Sequence, residues 1–434
     1  MDDERQRTRR RFLVAGTTVA GGLVAGSTGN GGDSTPSEES GGDGGGTATP
    51  TPEETPTATA AASGTDTPTE SPPTGTATAT PSLALEPPYT ASLAPAGEVT
   101  FEDEPEDIFT LLGHHSEMAL ALGMGDAVNT TYAPGYVDSL VAAFTARLEG
   151  VSVDWADLPR SWGMGKEAVY ELESDVHLAD PAQVVTMEGW ERSDVAEVAE
   201  SVGPYFGNSL SGGRESPPDA YADSYEYYGL WEIFGRVATA LNERGRYRAL
   251  ASLREEMLST IEAGLPPEDE RPSVAMVLPS TTDDSMWAYH TNVTGYYAAH
   301  TRPFGAGDAM AEAGVENGAR IDAEALLSAD PDVLVILGGL VNYHDIDAVR
   351  ASLEDDPVTS EVTAVDEGRV YAQGTRHQGL LVNLFQLEAT AKQVFPDAFG
   401  AWPDYQNGNP YPEIPADDRL LDYDRLAAII DGDY

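Results

Sequence analysis

Histidine, arginine and aromatic side chains carry most of the binding chemistry this chain can offer. Its 434 residues include seven histidines and no cysteine, which removes disulfides, thiolate nucleophiles and Cys-bound metals. Five histidines, His114, His115, His290, His344 and His377, fall where short apolar runs give way to loops, and Trp190, Trp287, Tyr289 and Arg376 share such places. Imidazole and guanidinium suit a metal centre or an anionic periphery, and aromatic faces suit a large, partly apolar ligand. Each of these residues alone reads as a solvated loop residue, yet together they form a candidate ligand-binding set, with no metal ligation assigned. His177 lies inside a strand pattern and reads as structural.

Reaction chemistry is harder to find. The chain has no Gly-x-Ser-x-Gly elbow and no His-Glu-x-x-His helix, and no nucleophile stands beside a general base. Gly305-Ala-Gly-Asp308 lacks the preceding strand and third glycine of a dinucleotide loop, so it reads as a turn. The expectation is a binding protein rather than an enzyme, with no resident cofactor. Asn129-Thr-Thr131 and Asn292-Val-Thr294 are acceptable glycosylation triplets.

The positioning elements centre on residues 246–264, RYRALASLREEMLSTIEAG. Tyr247, Leu250, Leu253, Met257 and Ile261 recur every three or four residues, which puts them on one side of a helix roughly 27 Å long. Gly264 is expected to close it in the left-handed conformation, ahead of Pro266 and Pro267. A segment occurs once on each side of this helix. Glu167-Ala168 precedes Asp175-Val176 and Glu324-Ala325 precedes Asp332-Val333 at the same spacing, an amphipathic turn followed by a buried strand. Repetition across the helix predicts two similar lobes with the helix as their strut.

Around this frame the pattern predicts a hairpin-like start over 89–101, a strand over 107–113 with His114 and His115 at its end, and a helix from Glu117 capped by Ser116. Strands are expected over 182–187, 273–278, 333–337 and 369–372, with a loop over 280–289. Helices are expected over 193–202, 225–241 and 378–395.

Twenty-four basic residues against 73 acidic ones give a formal net charge of −49, which argues against nucleic acid and anionic lipid as partners. Lysine occurs only at Lys166 and Lys392, and the composition looks like the solvated surface of a halophilic, haloarchaeal protein. Thr8-Arg9-Arg10-Arg11-Phe12-Leu13 matches a twin-arginine export signal, followed by an apolar run too short and glycine-rich to read as a membrane span. Residues 1–29 are therefore read as the signal. Residues 30–88 form a Thr-, Pro-, Gly- and Ser-rich acidic stalk expected to be disordered, 89–245 an N-terminal lobe, 246–264 the interlobe helix, and 265–434 a C-terminal lobe with an extended tail.

The order of Glu-Ala-x6-Asp-Val unit, long helix, Val274-Ala-Met-Val-Leu278 strand, second Glu-Ala-x6-Asp-Val unit, Gly368-Arg-Val-Tyr371 and a helix ending Phe395-Pro396 resembles the Fe/B12-type periplasmic binding proteins of ABC importers. The likeness spans roughly residues 98–400. It departs from the family over 150–162 and 207–223. It implies an α/β fold of two Rossmann-like lobes with mainly parallel sheets joined by a long rigid helix, and a cleft that captures an iron-siderophore, haem or cobalamin chelate. Direct binding of a divalent metal ion and an exported metal-dependent enzyme on the same scaffold are the alternatives. The resemblance also implies an ABC permease with its ATPase subunits as partners, met by Glu167 and Glu324, and a location at the cell surface. Ser27 stands where a lipobox cysteine is expected, which leaves an uncleaved anchor and a free secreted form both open.

Overall fold

The computed structural model describes residues 83–340, 343–405, 408 and 410–434. The export signal and the stalk up to residue 82 lie outside the described residues. Three sheets order the rest. Strands β1 (Tyr89–Leu93) and β2 (Gly97–Phe101) form an antiparallel hairpin. Strands β3 (Ile108–Thr110), β4 (Val128–Thr130) and β5 (Val176–Leu178) form a parallel sheet in the order β4-β3-β5.

The third sheet holds β6 (Ser273–Pro279), β7 (Met286–Tyr289), β8 (Gly307–Asp308), β9 (Arg320–Ile321), β10 (Val333–Ile336) and β11 (Val370–Ala372). Its order is β11-β10-β6-β7-β9, with β8 on β6, and β6, β10 and β11 run parallel. All four residues of β10 are buried, as expected of a parallel strand covered on both faces.

In chain order, between the last strand of the parallel sheet and the first of the mixed one, comes the helix Arg244–Gly264, which buries Leu250, Leu253, Met257 and Ile261. At 21 residues it is about 31 Å long. Its end differs from the sequence expectation: Gly264 stays helical and Leu265 leaves in extended geometry. Glycine is needed there for another reason, because a Cβ would lie 2.5 Å from the Phe399 ring.

The repeated segment folds the same way twice. Helices Lys166–Leu172 and Ala323–Ala329 each end on a left-handed residue, Glu173 (φ 49°) and Asp330 (φ 38°). The following aspartate then ties the base of the neighbouring central strand. Asp175 accepts the Glu106 and Asp107 N–H groups at 2.8 and 2.9 Å ahead of β3, and Asp332 accepts the Ser273 N–H at 2.7 Å at the start of β6.

Several local expectations are corrected. Residues 182–187 form no strand; Asp180 caps the short helix Pro181–Val184 through the Ala182 N–H, with Pro181 in the first turn where its missing donor costs nothing. The helix expected from Glu117 begins at Gly113, which places His114 and His115 inside its first turn. Met286–Tyr289 is strand rather than loop, because it completes a hairpin with β6. The helix expected over 225–241 starts only at Leu230.

The tail returns across the molecule. Tyr411 donates its N–H to Ala143 in the helix Pro134–Thr145 at 2.8 Å, and its hydroxyl reaches Glu388 in the helix Leu380–Val394 at 3.0 Å.

Candidate functional site

Segments that follow the parallel strands β3, β4, β10 and β11 meet one another, and the carboxyl ends of such strands frame the crevice where open α/β sheets bind ligands. The convergence is visible in contacts between residues far apart in sequence. The His114 and Tyr296 rings lie 5.6 Å apart, and those of Tyr136 and Tyr343 6.1 Å apart. Tyr297 donates its N–H to the Gly212 carbonyl at 3.1 Å.

On one side of the crevice, Arg376 lies between two tyrosines, its guanidinium carbon 4.2 Å from the Tyr289 ring centre and 4.4 Å from that of Tyr297. His377 meets Tyr297 edge-on at 4.5 Å. His377 keeps open surface. Behind this group the His114 and His115 rings sit 4.2 Å apart. Burial lowers His114 to about 4, and burial with the neighbouring His114 holds His115 well below the usual histidine range, so both are neutral at physiological pH. Among the described residues neither nitrogen of His115 has a hydrogen-bond partner, nor has Nδ1 of His114.

On the other side stand Tyr132, Tyr136, Trp162 and Tyr343. Tyr132 and Trp162 meet edge-on at 5.6 Å. Burial pushes the Tyr136 phenol up to about 12, with Tyr343 and Tyr132 adding to the shift. Arg160 is exposed beside Tyr132, and its charge opposes the burial that raises that phenol. Each half of the chain thus has an arginine beside tyrosines, Arg160 near Tyr132 and Arg376 between Tyr289 and Tyr297.

The support beneath is polar and buried. Glu117, on the His114 helix, accepts the Gly379 N–H at 3.0 Å and the Val382 N–H at 2.6 Å, so its carboxylate serves the amino end of the helix Leu380–Val394. Burial outweighs these bonds and lifts its pKa to about 7. Gln378 bonds His300 at 2.7 Å and accepts from Asn383 and Gln386, which fixes the turn carrying Arg376 and His377. Asp180 accepts the Ser209 N–H at 2.7 Å and the Tyr225 hydroxyl at 2.6 Å, holding the segment that meets Tyr296.

Of the nine sequence-expected ligand residues, the structure gathers His114, His115, Tyr289, Arg376 and His377. Trp287 lies two residues from Tyr289, on the same face of β7, under Arg320 at 5.5 Å. His344 is buried against Tyr343 at 4.7 Å, behind the second aromatic group. His290 turns away and bonds the Val315 carbonyl at 2.7 Å. Trp190 is corrected outright: it packs in a separate apolar cluster with Phe109, Val169 and Tyr205 and donates to the Met164 carbonyl at 3.0 Å. With the preceding strand replaced by a helix, Trp190 has no strand end to occupy. Glu167 and Glu324 are exposed in the first turns of the two repeated helices. The residues that sequence reasoning missed are Glu117, Tyr132, Tyr136, Trp162, Tyr296, Tyr297 and Tyr343; the Tyr296-Tyr297 doublet after Gly295 was the available signal.

Among the described residues no three His, Asp or Glu side chains form a group able to hold a metal ion. A periplasmic binding protein from Veillonella parvula DSM 2008 superposes with a TM-score of 0.52 at 14% identity, over 74% of this chain and 96% of that one. This chain has the periplasmic-binding-protein fold. An ABC-type Fe3+-hydroxamate transport protein from Saccharomonospora viridis DSM 43017 matches this binding-protein fold at 21% identity, over 70% of this chain and 98% of that one, with a TM-score of 0.46. An iron-uptake ABC transporter substrate-binding protein from Streptococcus pneumoniae TIGR4 matches at 17% identity, over 72% and 100%, with a TM-score of 0.46. No protein-family model matches the sequence, and no curated protein matches it. Among the described residues of this binding-protein fold, no helix is long and apolar enough to cross a membrane.

Proposed function

We propose that the chain is the extracytoplasmic capture subunit of an ABC importer, binding an iron- or cobalt-bearing chelate of the siderophore, haem or cobalamin type in the crevice between its two sheets. The observation that carries this reading is Arg376. It is held between the Tyr289 and Tyr297 rings, close to a pair of neutral histidines, at the carboxyl ends of parallel strands. A fixed cation on aromatic faces suits the anionic rim of a flat, partly apolar ligand. The Tyr132, Tyr136, Trp162 and Tyr343 group supplies an apolar face on the opposite side.

The remaining parts fit the same role. The helix Arg244–Gly264 is a stiff strut between the sheets, suited to small movement on binding. Glu167 and Glu324 mark equivalent exposed points of the two repeated units, one on each half, and serve in this reading as the contacts with the permease. A twin-arginine signal followed by a stalk would carry the folded part out of the cytoplasm and hold it at the surface.

A tryptophan-fluorescence titration in high salt tests the reading, using ferric hydroxamate, ferric catecholate, haem and cobalamin. Saturable quenching by one class, absent for the metal-free form of that ligand or for zinc alone, is the expected result. Stoichiometric zinc binding with no chelate response would favour the bare-ion alternative instead.

A further inference from the structure

A tyrosine fills the contact between the two halves of the chain. Tyr296 comes from the short turn Tyr296–Ala298 and is 1% exposed. Its hydroxyl donates to the Ser209 carbonyl at 3.0 Å and lies 3.3 Å from Nε2 of His114. Beside it the main chains pair, Tyr297 N–H to Gly212 carbonyl at 3.1 Å. Two glycines permit this approach. A Cβ on Gly212 would lie 2.3 Å from the Tyr297 ring, and one on Gly295, whose φ is 101°, would lie 2.4 Å from the Gly212 carbonyl. Gln378 holds the turn from behind through the Tyr296 carbonyl at 3.3 Å.

We infer that Tyr296 is a built-in plug, covering His114 at the edge of the His114–His115 pair and swinging out before a ligand can reach it. The phenol gives His114 Nε2 a partner that would otherwise be missing in a buried place. It also joins the two halves of the chain, through His114 and Ser209. Apparent affinity is then the intrinsic affinity reduced by the fraction of molecules whose plug is open. The plug itself rests on the contacts of this chain alone, and only its effect on affinity rests on the function proposed above.

Hydrogen exchange read by mass spectrometry tests the plug without any ligand, in high salt, on peptides covering 205–215 and 293–300, together with diethyl pyrocarbonate labelling of His114. Tyr296→Phe keeps the ring and removes both hydroxyl contacts. It should speed exchange in both peptides about 5- to 10-fold and make His114 reactive, with little change in melting temperature. Gly212→Ala, which pushes on Tyr297, should have the same effect by a different route. Unchanged exchange and an unreactive His114 in both variants overturn the plug. Ferrioxamine B supplies the binding arm: faster and tighter binding by Tyr296→Phe supports the plug, and weaker binding with unchanged exchange makes Tyr296 a ligand contact and overturns it. Fast exchange with no ferrioxamine B binding by either form upholds the plug and counts against a hydroxamate ligand alone.

Discussion

The guanidinium carbon of Arg376 lies 4.2 Å from the centre of the Tyr289 ring, and no carboxylate forms an ion pair with it among the described residues. In a chain of net charge −49, a cation held by aromatic faces instead of an acid is available to an incoming anion. Replacing Arg376 and His377 together with Ala should weaken chelate binding by about 1–3 kcal/mol, the scale of charge-assisted contacts. Melting temperature should change little, since neither side chain supports the core. Calorimetric titration of the double variant checks this, and unchanged affinity would remove both residues from the site.

Glu117 joins the two halves of the chain through the Gly379 and Val382 N–H groups. Glu117→Ala leaves two buried donors at a helix start without a partner and should cost about 1–3 kcal/mol of stability. Glu117→Gln keeps an acceptor and should cost less. Chemical denaturation of the three proteins at pH 8 ranks them, and equal stability of wild type and the Ala variant would contradict the role.

The buried histidines and Glu117 respond to pH in opposite senses. His114, His177, His300 and His344 are each lowered by burial from 6.5 to about 4. The unfolded chain therefore takes up protons first as pH falls below 6.5, and stability declines toward pH 4. Glu117 is raised from 4.5 to about 7. Its contribution is present at low pH and is lost as pH rises through 7. Counting His115 and His377, whose imidazoles are also lowered, six histidines stand against four acids that burial raises, Glu117, Asp180, Glu243 and Glu388, so the melting temperature in about 1 M salt should fall between pH 6.5 and 4.5. The fall should be steeper in Glu117→Gln, where the opposing effect is gone. A flat profile in both proteins would contradict this balance.

Glu167 and Glu324 hold matching positions in two helices that end on left-handed residues. As helix-start carboxylates they are worth only ~0.3–1 kcal/mol to stability. As permease contacts they are worth transport. Reversing both to Arg should leave chelate affinity intact and abolish uptake through the cognate permease, because like charges would then meet across the contact. Normal transport at matched expression would return both residues to the role of helix starts.

Much of the frame could be read from the residues because it follows from periodicity. Leu250, Leu253, Met257 and Ile261 define the strut helix by spacing alone, and Asp175 and Asp332 mark strand starts that both exist. The errors arose where one residue serves a contact distant in sequence. Residues 182–187 read as a strand until Asp180 is seen capping a helix and bracing Ser209, which is 29 positions away. Trp190 resembles a loop aromatic, and only packing against Val169 and Tyr205 makes it core. Glu117 looks like a surface residue of an amphipathic turn, and its partners at 379 and 382 are invisible to any local pattern. For the same reason the crevice was legible on its Arg376 side, where unusual residues cluster, and not on its Tyr132–Tyr343 side, where ordinary tyrosines meet through the fold.

Anomalous scattering tests the central claim most directly. Crystals grown with the tightest-binding chelate, measured at the iron or cobalt absorption edge, should show one metal peak in the crevice, between the Arg376–Tyr297 group and the Tyr132–Tyr343 group, with Tyr296 withdrawn from Ser209. A metal peak confined to the surface, or an empty crevice with Tyr296 still bonded to Ser209 under saturating chelate, would contradict the account.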